Sequence, residues 1–369
     1  MKKIIRVAAL GAAAALVLTA CASAPKATTT TAPSAGAGAT SAAAVNYKAC
    51  MVSDAGGFED KSFNQSGAEG LDKAKADLGI TEVKVESTAN TDFTPNIDNL
   101  VSQNCNLIVG VGFNLADAVQ TAANANKSIN FALVDSAFSD ASFKPVTLTN
   151  GKPLLFNTQE AAFLAGYVAA GTSKTGKVAT FGGMQLPSVS IFMDGFSDGV
   201  AKYNTDSGKK VQVLGWDKTA QTGSFTGDFD NQANGQNLAK GFIDQGADVI
   251  MPVAGPVGLG AAAAAKAAGN VMIIGVDADW YNTAPEYKSI ILTSVIKEIG
   301  QSVYDTVKQG VDGKYASTPY VGTLANKGID IAPFHDLDAQ VPADVKTKVA
   351  ALKAAIIDGS LKVDSKSAN

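Results

Sequence analysis

The sequence predicts an α/β protein of two doubly wound lobes facing each other across a cleft. Three observations carry this prediction. Short β-branched runs alternate with runs of helical period through most of the 369 residues. The strand runs are apolar without alternation, as in parallel sheets covered by helices on both faces. The β-α series occurs twice, over 46–156 and again over 177–282. About 320 residues follow the N-terminal segment, more than one ordinary core organises.

In the first series the strands are expected at 49–53, 82–86, 107–111 and 131–135, with helices at 64–78, 95–104 and 115–126. In the second they are expected at 177–182, 211–215, 248–253 and 271–277, with helices at 189–203, 231–245 and 257–268; a helix at 161–171 precedes this series and a strand at 290–293 follows it. Thr94-Pro95 reads as an N-cap followed by proline at the first helical position, and Gly79, Gly246 and Gly269 as helix stops. The stretch 150–158 and the segment after Asp279 would carry the chain between lobes. The first lobe is therefore 46–156 plus about 283–320, and the second 157–282 plus about 321–360.

Ahead of the lobes, Lys2, Lys3 and Arg6 precede an apolar run over 7–18, too short to span a membrane but suited to an export signal. Leu18-Thr19-Ala20-Cys21 resembles the lipobox of bacterial lipoproteins, so residues 1–20 read as a signal peptide and Cys21 as the lipidated residue. Apart from Cys21, Lys26 and Val45, residues 21–45 are Ala, Thr, Ser, Pro and Gly, a composition expected to form a disordered tether. As a coil it would span on the order of 25–30 Å. The formal net charge is −4, and loss of residues 1–20 removes three cations and no acid, leaving −7. A mildly acidic body argues against nucleic acid as a partner. Lipid at Cys21 would hold it on the extracytoplasmic face of the cell membrane.

In doubly wound sheets ligands sit beyond the carboxyl ends of the strands. The residues that follow strands are Asp54, Gly112-Phe113, Asp135, Gly183, Gly255 and Asp277. One acid there could be a helix cap. Three at the same topological position, in both halves, suit a site for hydroxyl groups. Gly255-Pro256-Val257-Gly258-Leu259-Gly260 follows a strand and opens a helix, where backbone N–H groups can approach a polar ligand, though plain turn chemistry would also explain it. Gly171–Lys177 resembles a phosphate-binding loop but precedes a strand and has Val178 where Ser or Thr must hold magnesium. Catalytic machinery is missing. His335, the only histidine, falls in a polar segment away from the strand ends, and no nucleophile elbow, zinc motif or Cys-x-x-Cys occurs. No enzyme activity, cofactor or metal is expected.

Cys50 and Cys105 remain in the exported body. They fall at the amino ends of strands one and three, which are neighbours in a doubly wound lobe, so a disulfide is expected.

The run Asp54-Ala55-Gly56-Gly57-Phe58-Glu59-Asp60-Lys61-Ser62-Phe63-Asn64-Gln65-Ser66 resembles the signature of the basic membrane protein family. Val109–Phe113, Phe131–Ser136, Glu160–Gly166, Gly182–Met184, Asp194–Phe196 and Ile274–Asp279 are similar to further family blocks in family order, over about 47–315. The best understood members are purine-nucleoside receptor lipoproteins of ABC importers. The resemblance implies a type I periplasmic-binding-protein fold, two Rossmann-like lobes with the ligand between them. It implies a nucleoside ligand and a membrane permease as partners. It places one stacking ring at Phe63, polar contacts at Asp54, Asn64, Asp135, Asp277 and Lys297, and a backbone contact at Gly255. The second ring is open between Phe225, favoured by the local Gly-Ser-Phe, and Phe229, favoured by counting back from Gly235; Phe229 is preferred. A cleft that opens and closes favours a monomer. Two other readings remain: a receptor for a sugar or other small polar metabolite on the same scaffold, and a surface adhesin or immunogen with no saturable ligand.

Overall fold

The computed structural model describes residues 45–142 and 144–368. The expected signal peptide, Cys21 and almost all of the expected tether lie outside them. The chain begins β1 (Lys48–Ser53), α1 (Phe63–Leu78), β2 (Thr81–Val85), α2 (Phe93–Ser102), β3 (Leu107–Val111), α3 (Ala116–Ala125), β4 (Asn130–Val134) and β5 (Gly151–Phe156). It continues with α4 (Gln159–Thr172), β6 (Lys177–Gly182), α5 (Pro187–Ser207), β7 (Gln212–Leu214) and a short ribbon of β8 (Trp216–Asp217) and β9 (Thr222–Gly223). Next come α6 (Gln232–Asp244), β10 (Val249–Val253), α7 (Pro256–Ala268), β11 (Met272–Asp277), α8 (Trp280–Thr283) and β12 (Ile291–Lys297). The last elements are α9 (Ile299–Val311), β13 (Tyr320–Gly322), β14 (Ile329–Ile331) and α10 (Ala343–Ile357).

Two six-stranded sheets form, in the orders β13-β5-β4-β3-β1-β2 and β14-β12-β11-β10-β6-β7. Strand pairing is parallel except between β12 and β14 and within the ribbon. Leu107, Ile108 and Val109 of β3, and Val249, Ile250 and Met251 of β10, are wholly buried, because helices cover both faces of each sheet. This is the two-lobed α/β architecture the alternating runs predicted.

Three expectations need correction. The stretch 150–158 was read as a crossover, yet β5 pairs with β4 and is buried throughout. Lys152 and Pro153 disguise it: the lysine is buried, with its ammonium on Gln309 Oε1 at 2.7 Å. The segment 283–320 was assigned to the first lobe, but β12 pairs with β11 in the second sheet. Only α9, packed on α1, and β13, paired with β5, return to the first lobe. Thr94 does not cap α2, which already begins at Phe93. The Asp92 carboxylate instead accepts the Thr88 and Ala89 amides.

The structure joins Cys50 and Cys105 in a disulfide, Cα–Cα 6.0 Å, at the amino ends of β1 and β3. At the opposite end of that sheet the chain crosses between lobes three times. Asn157 donates its amide to Gly322 O at 2.8 Å and Glu298 to Gly328 O at 2.9 Å. Glu160 Oε2 accepts the Leu324 amide at 3.0 Å, tying the first crossing to the third.

Candidate functional site

The loop from β1 to α1 is folded around two aspartates. The Asp54 amide donates to Val111 O at 3.1 Å, which anchors the residue beyond the sheet. Its carboxylate occupies the space a side chain at position 112 would fill: a Cβ on Gly112 would fall 2.0 Å from Asp54 Oδ2. Asp60 accepts the amides of Ser62, Asn64 and Gln65 at 2.9, 2.8 and 3.0 Å. That carboxylate satisfies the open N–H groups at the start of α1 and fixes Phe63 and Asn64 on its first turn. Asn64 Nδ2 donates to Asp54 Oδ1, Ala55 O and Asp60 Oδ2 at 3.0, 3.1 and 3.2 Å. Its Oδ1 is buried with no partner among the described residues.

Asp135 follows β4 and Asp277 ends β11, the equivalent strand of the second sheet. Both have left-handed backbone, φ +64° and +68°, a conformation that costs a non-glycine residue energy and that aspartate tolerates better than most. Lys297, at the end of β12, is 3% exposed. Its ammonium pairs with Asp135 across the cleft and lies 3.2 Å from Asp277 Oδ1. It also sits 4.9, 5.2 and 5.6 Å from the ring centroids of Phe63, Phe192 and Phe156. Burial opposes the charge on Lys297, but Asp135 and Asp277 hold its pKa above the ordinary lysine value. Burial raises the Asp135 pKa, with Lys297 pulling the other way. Burial pushes Asp54 up to about 8, against the hydrogen bond from Asn64 and with help from the charges of Asp60, Asp135 and Asp230.

Phe229 enters from the second lobe. The Asp228 carboxylate accepts the amides of Asp230 and Asn231 at 3.0 and 2.7 Å and Asn234 Nδ2 at 2.6 Å, which folds the loop before α6. The Phe229 ring lies against the bare backbone of Gly183, where a Cβ would come within 2.4 Å of it. Phe225 instead packs edge-on against Trp216, centroids 6.0 Å apart.

These groups line one pocket between the lobes, enclosing about 530 Å³ of non-atom space with its mouth included. It holds Asp54, Phe63, Asn64 and Asp135 from the first lobe and Phe229, Gly255, Asp277 and Lys297 from the second. Every residue singled out for ligand contact is therefore brought together there, and Phe225 is not among the lining residues. Phe192 and Ser188, also in the wall, were missed. Phe192 is 1% exposed inside α5, where an aromatic at helical spacing reads as core. The signal for Ser188 was its place just beyond β6, the counterpart of the β1 loop. His335 is not remote from the strand ends as expected. Its Nε2 is 2.8 Å from Asp279 Oδ2, two residues past β11, and its ring stacks on Tyr281 at 4.0 Å. The approach depends on the chain returning through β14, which pattern reading did not detect. Among the described residues no group of His, Cys, Asp or Glu could hold a metal ion, and no helix is long and apolar enough to cross a membrane.

A pocket between two such lobes suits capture of a small solute, and the comparisons agree. The family described as "ABC transporter substrate-binding protein PnrA-like" matches residues 47–362. The chain is 34% identical over 340 residues to the ABC transporter nucleoside-binding protein BmpA of Lactococcus lactis subsp. cremoris, covering 86% of this chain and 89% of that protein. It is 32% identical to basic membrane protein D of Borreliella burgdorferi, covering 84% and 85%. A solute-binding protein of an ABC transporter system from Aeropyrum pernix K1 superposes with a TM-score of 0.76 at 25% identity, over 86% of this chain and 92% of that one. Proteins of this kind are non-enzymatic, extracytoplasmic receptors that present a ligand to a membrane permease. The chain belongs to the PnrA-like family of ABC transporter substrate-binding proteins.

Proposed function

We propose that the ligand is a nucleoside, a purine nucleoside being the first candidate, held between the closed lobes of a monomeric lipoprotein anchored through Cys21. One observation carries the ligand assignment: Phe63 and Phe229 reach the same pocket from opposite lobes, beside Asp135, Asp277 and Lys297. An aromatic wall from each lobe suits a flat base, and paired carboxylates suit the vicinal hydroxyls of a pentose. The unpartnered Asn64 Oδ1, next to Asp54, supplies acceptors for N–H groups on the base edge. The name of the Lactococcus relative supports the same reading. A simple sugar would use the acids but has less use for two facing rings.

Stacking contributes on the order of 1–3 kcal/mol per base. Phe63→Ala is therefore expected to weaken adenosine or inosine binding about tenfold or more by titration calorimetry, while leaving the fold intact. An unchanged dissociation constant would remove Phe63 from the site. Tighter binding of a free pentose than of either nucleoside would favour the sugar reading.

Asp54 makes binding pH-dependent. If it accepts a base N–H, the ionised carboxylate is the bound form, and below about pH 8 binding must release its proton. Affinity should then rise from pH 6 toward 8 by at most about tenfold per unit and level off above. Asp54→Asn should flatten the profile. Stability of the free protein responds to this group in the opposite sense. The folded state keeps the proton that the unfolded chain loses near pH 4, so the stabilising contribution is complete below about pH 4 and is lost as pH rises toward 8.

A further inference from the structure

We infer that Ser62 is a positioning residue that fastens the closed lobes and orients Asp277 for the ligand. This deepens the nucleoside reading and rests on it for the ligand used below. Ser62 is the N-cap of α1, where a serine hydroxyl ordinarily accepts the amide of the second or third helical residue. Here it makes no such bond. Asp60 has taken over both amides, those of Asn64 and Gln65. The Ser62 hydroxyl is thereby released from its own helix. It points instead across the cleft, with Oγ 2.8 Å from Val276 O and 3.2 Å from Asp277 Oδ2. Ser62 is 1% exposed, so water does not compete for these bonds.

The bond is placed where closure is sensed. Val276 and Asp277 end the second-lobe strand whose carboxylate faces the ligand, and Ser62 precedes the ring of Phe63 by one residue. One hydroxyl hydrogen is shared between two acceptors, so a ligand hydroxyl can take Asp277 while Ser62 keeps Val276. The clasp therefore does not have to break for the ligand to bind. With Lys297 on the Oδ1 side and Ser62 on the Oδ2 side, the Asp277 carboxylate is fixed in one orientation. Next to it, Thr283 Oγ1 donates to Lys61 O at 2.7 Å, a second bond from the same loop to the same lobe.

The test is Ser62→Ala, with Ser62→Thr restoring the hydroxyl, in the otherwise complete chain. Stopped-flow binding of adenosine should show dissociation about tenfold faster in Ser62→Ala, association changed less than twofold, and recovery in Ser62→Thr. Small-angle scattering of the free Ser62→Ala protein should give a larger radius of gyration than wild type, with unchanged helical circular dichroism. Equal dissociation rates and equal radii for wild type and Ser62→Ala would overturn the inference and leave the nucleoside reading standing. If wild type bound no nucleoside, that reading would fall, and the scattering comparison alone would decide the clasp.

Discussion

Lys297→Met should lower stability by about 3–5 kcal/mol near neutral pH, because it leaves two buried carboxylates facing each other without their cation. Methionine fills the space against Phe63, Phe156 and Phe192, so the loss reports charge more than a cavity. The pH dependence separates the two causes. Burial already raises the Asp135 pKa, and in the variant Lys297 no longer opposes it, so the folded state keeps protons that the unfolded chain has lost. The stability deficit should shrink as pH falls from 8 to 5. Denaturant unfolding at both pH values checks this, and a deficit independent of pH would show that packing, not the buried charge cluster, dominates. Nucleoside binding should be lost in the same variant, since Asp135 of one lobe and Asp277 of the other share this cation.

The second large effect is at the other end of the first lobe. Cys50→Ser combined with Cys105→Ser opens a loop with a sequence separation of 55 residues. The chain-entropy model rates that constraint at about 4 kcal/mol. The lobe should unfold at correspondingly lower denaturant. Ligand affinity measured well below that transition should hold, because the bridge sits at the amino ends of β1 and β3, away from the cleft. A parallel loss of affinity would show that the brace reaches the site. In the unreduced, denatured body lacking Cys21, thiol titration should find no free thiol.

Runs such as 107–111 and 249–253 were legible because each strand is buried on both faces and reads as continuous apolar sequence. Strands β13 and β14 have three residues each, too few for any period. Helices α9 and α10 carried a signal that was not read: Ile299, Val303 and Val307 in one, Val345, Val349 and Leu352 in the other, are buried at helical spacing. Within the pocket, Asp54, Asp135 and Asp277 were visible because topology alone places strand ends at the cleft. The choice of Phe229 over Phe225 was not decidable locally, since it depends on which ring meets the bare backbone of Gly183. The reach of Ser62 to Val276, 214 positions away, exists only when the lobes meet and has no local pattern.

Calorimetry of the body lacking residues 1–20 with adenosine, inosine and their 2′,3′-dideoxy forms tests whether Asp135 and Asp277 recognise the ribose. A hydrogen bond to a carboxylate contributes roughly 1.5–3 kcal/mol. Removing both hydroxyls should weaken binding about a hundredfold or more, and Asp135→Asn or Asp277→Asn should narrow that gap. Dideoxynucleosides that bound as tightly as their parents would contradict recognition by these acids.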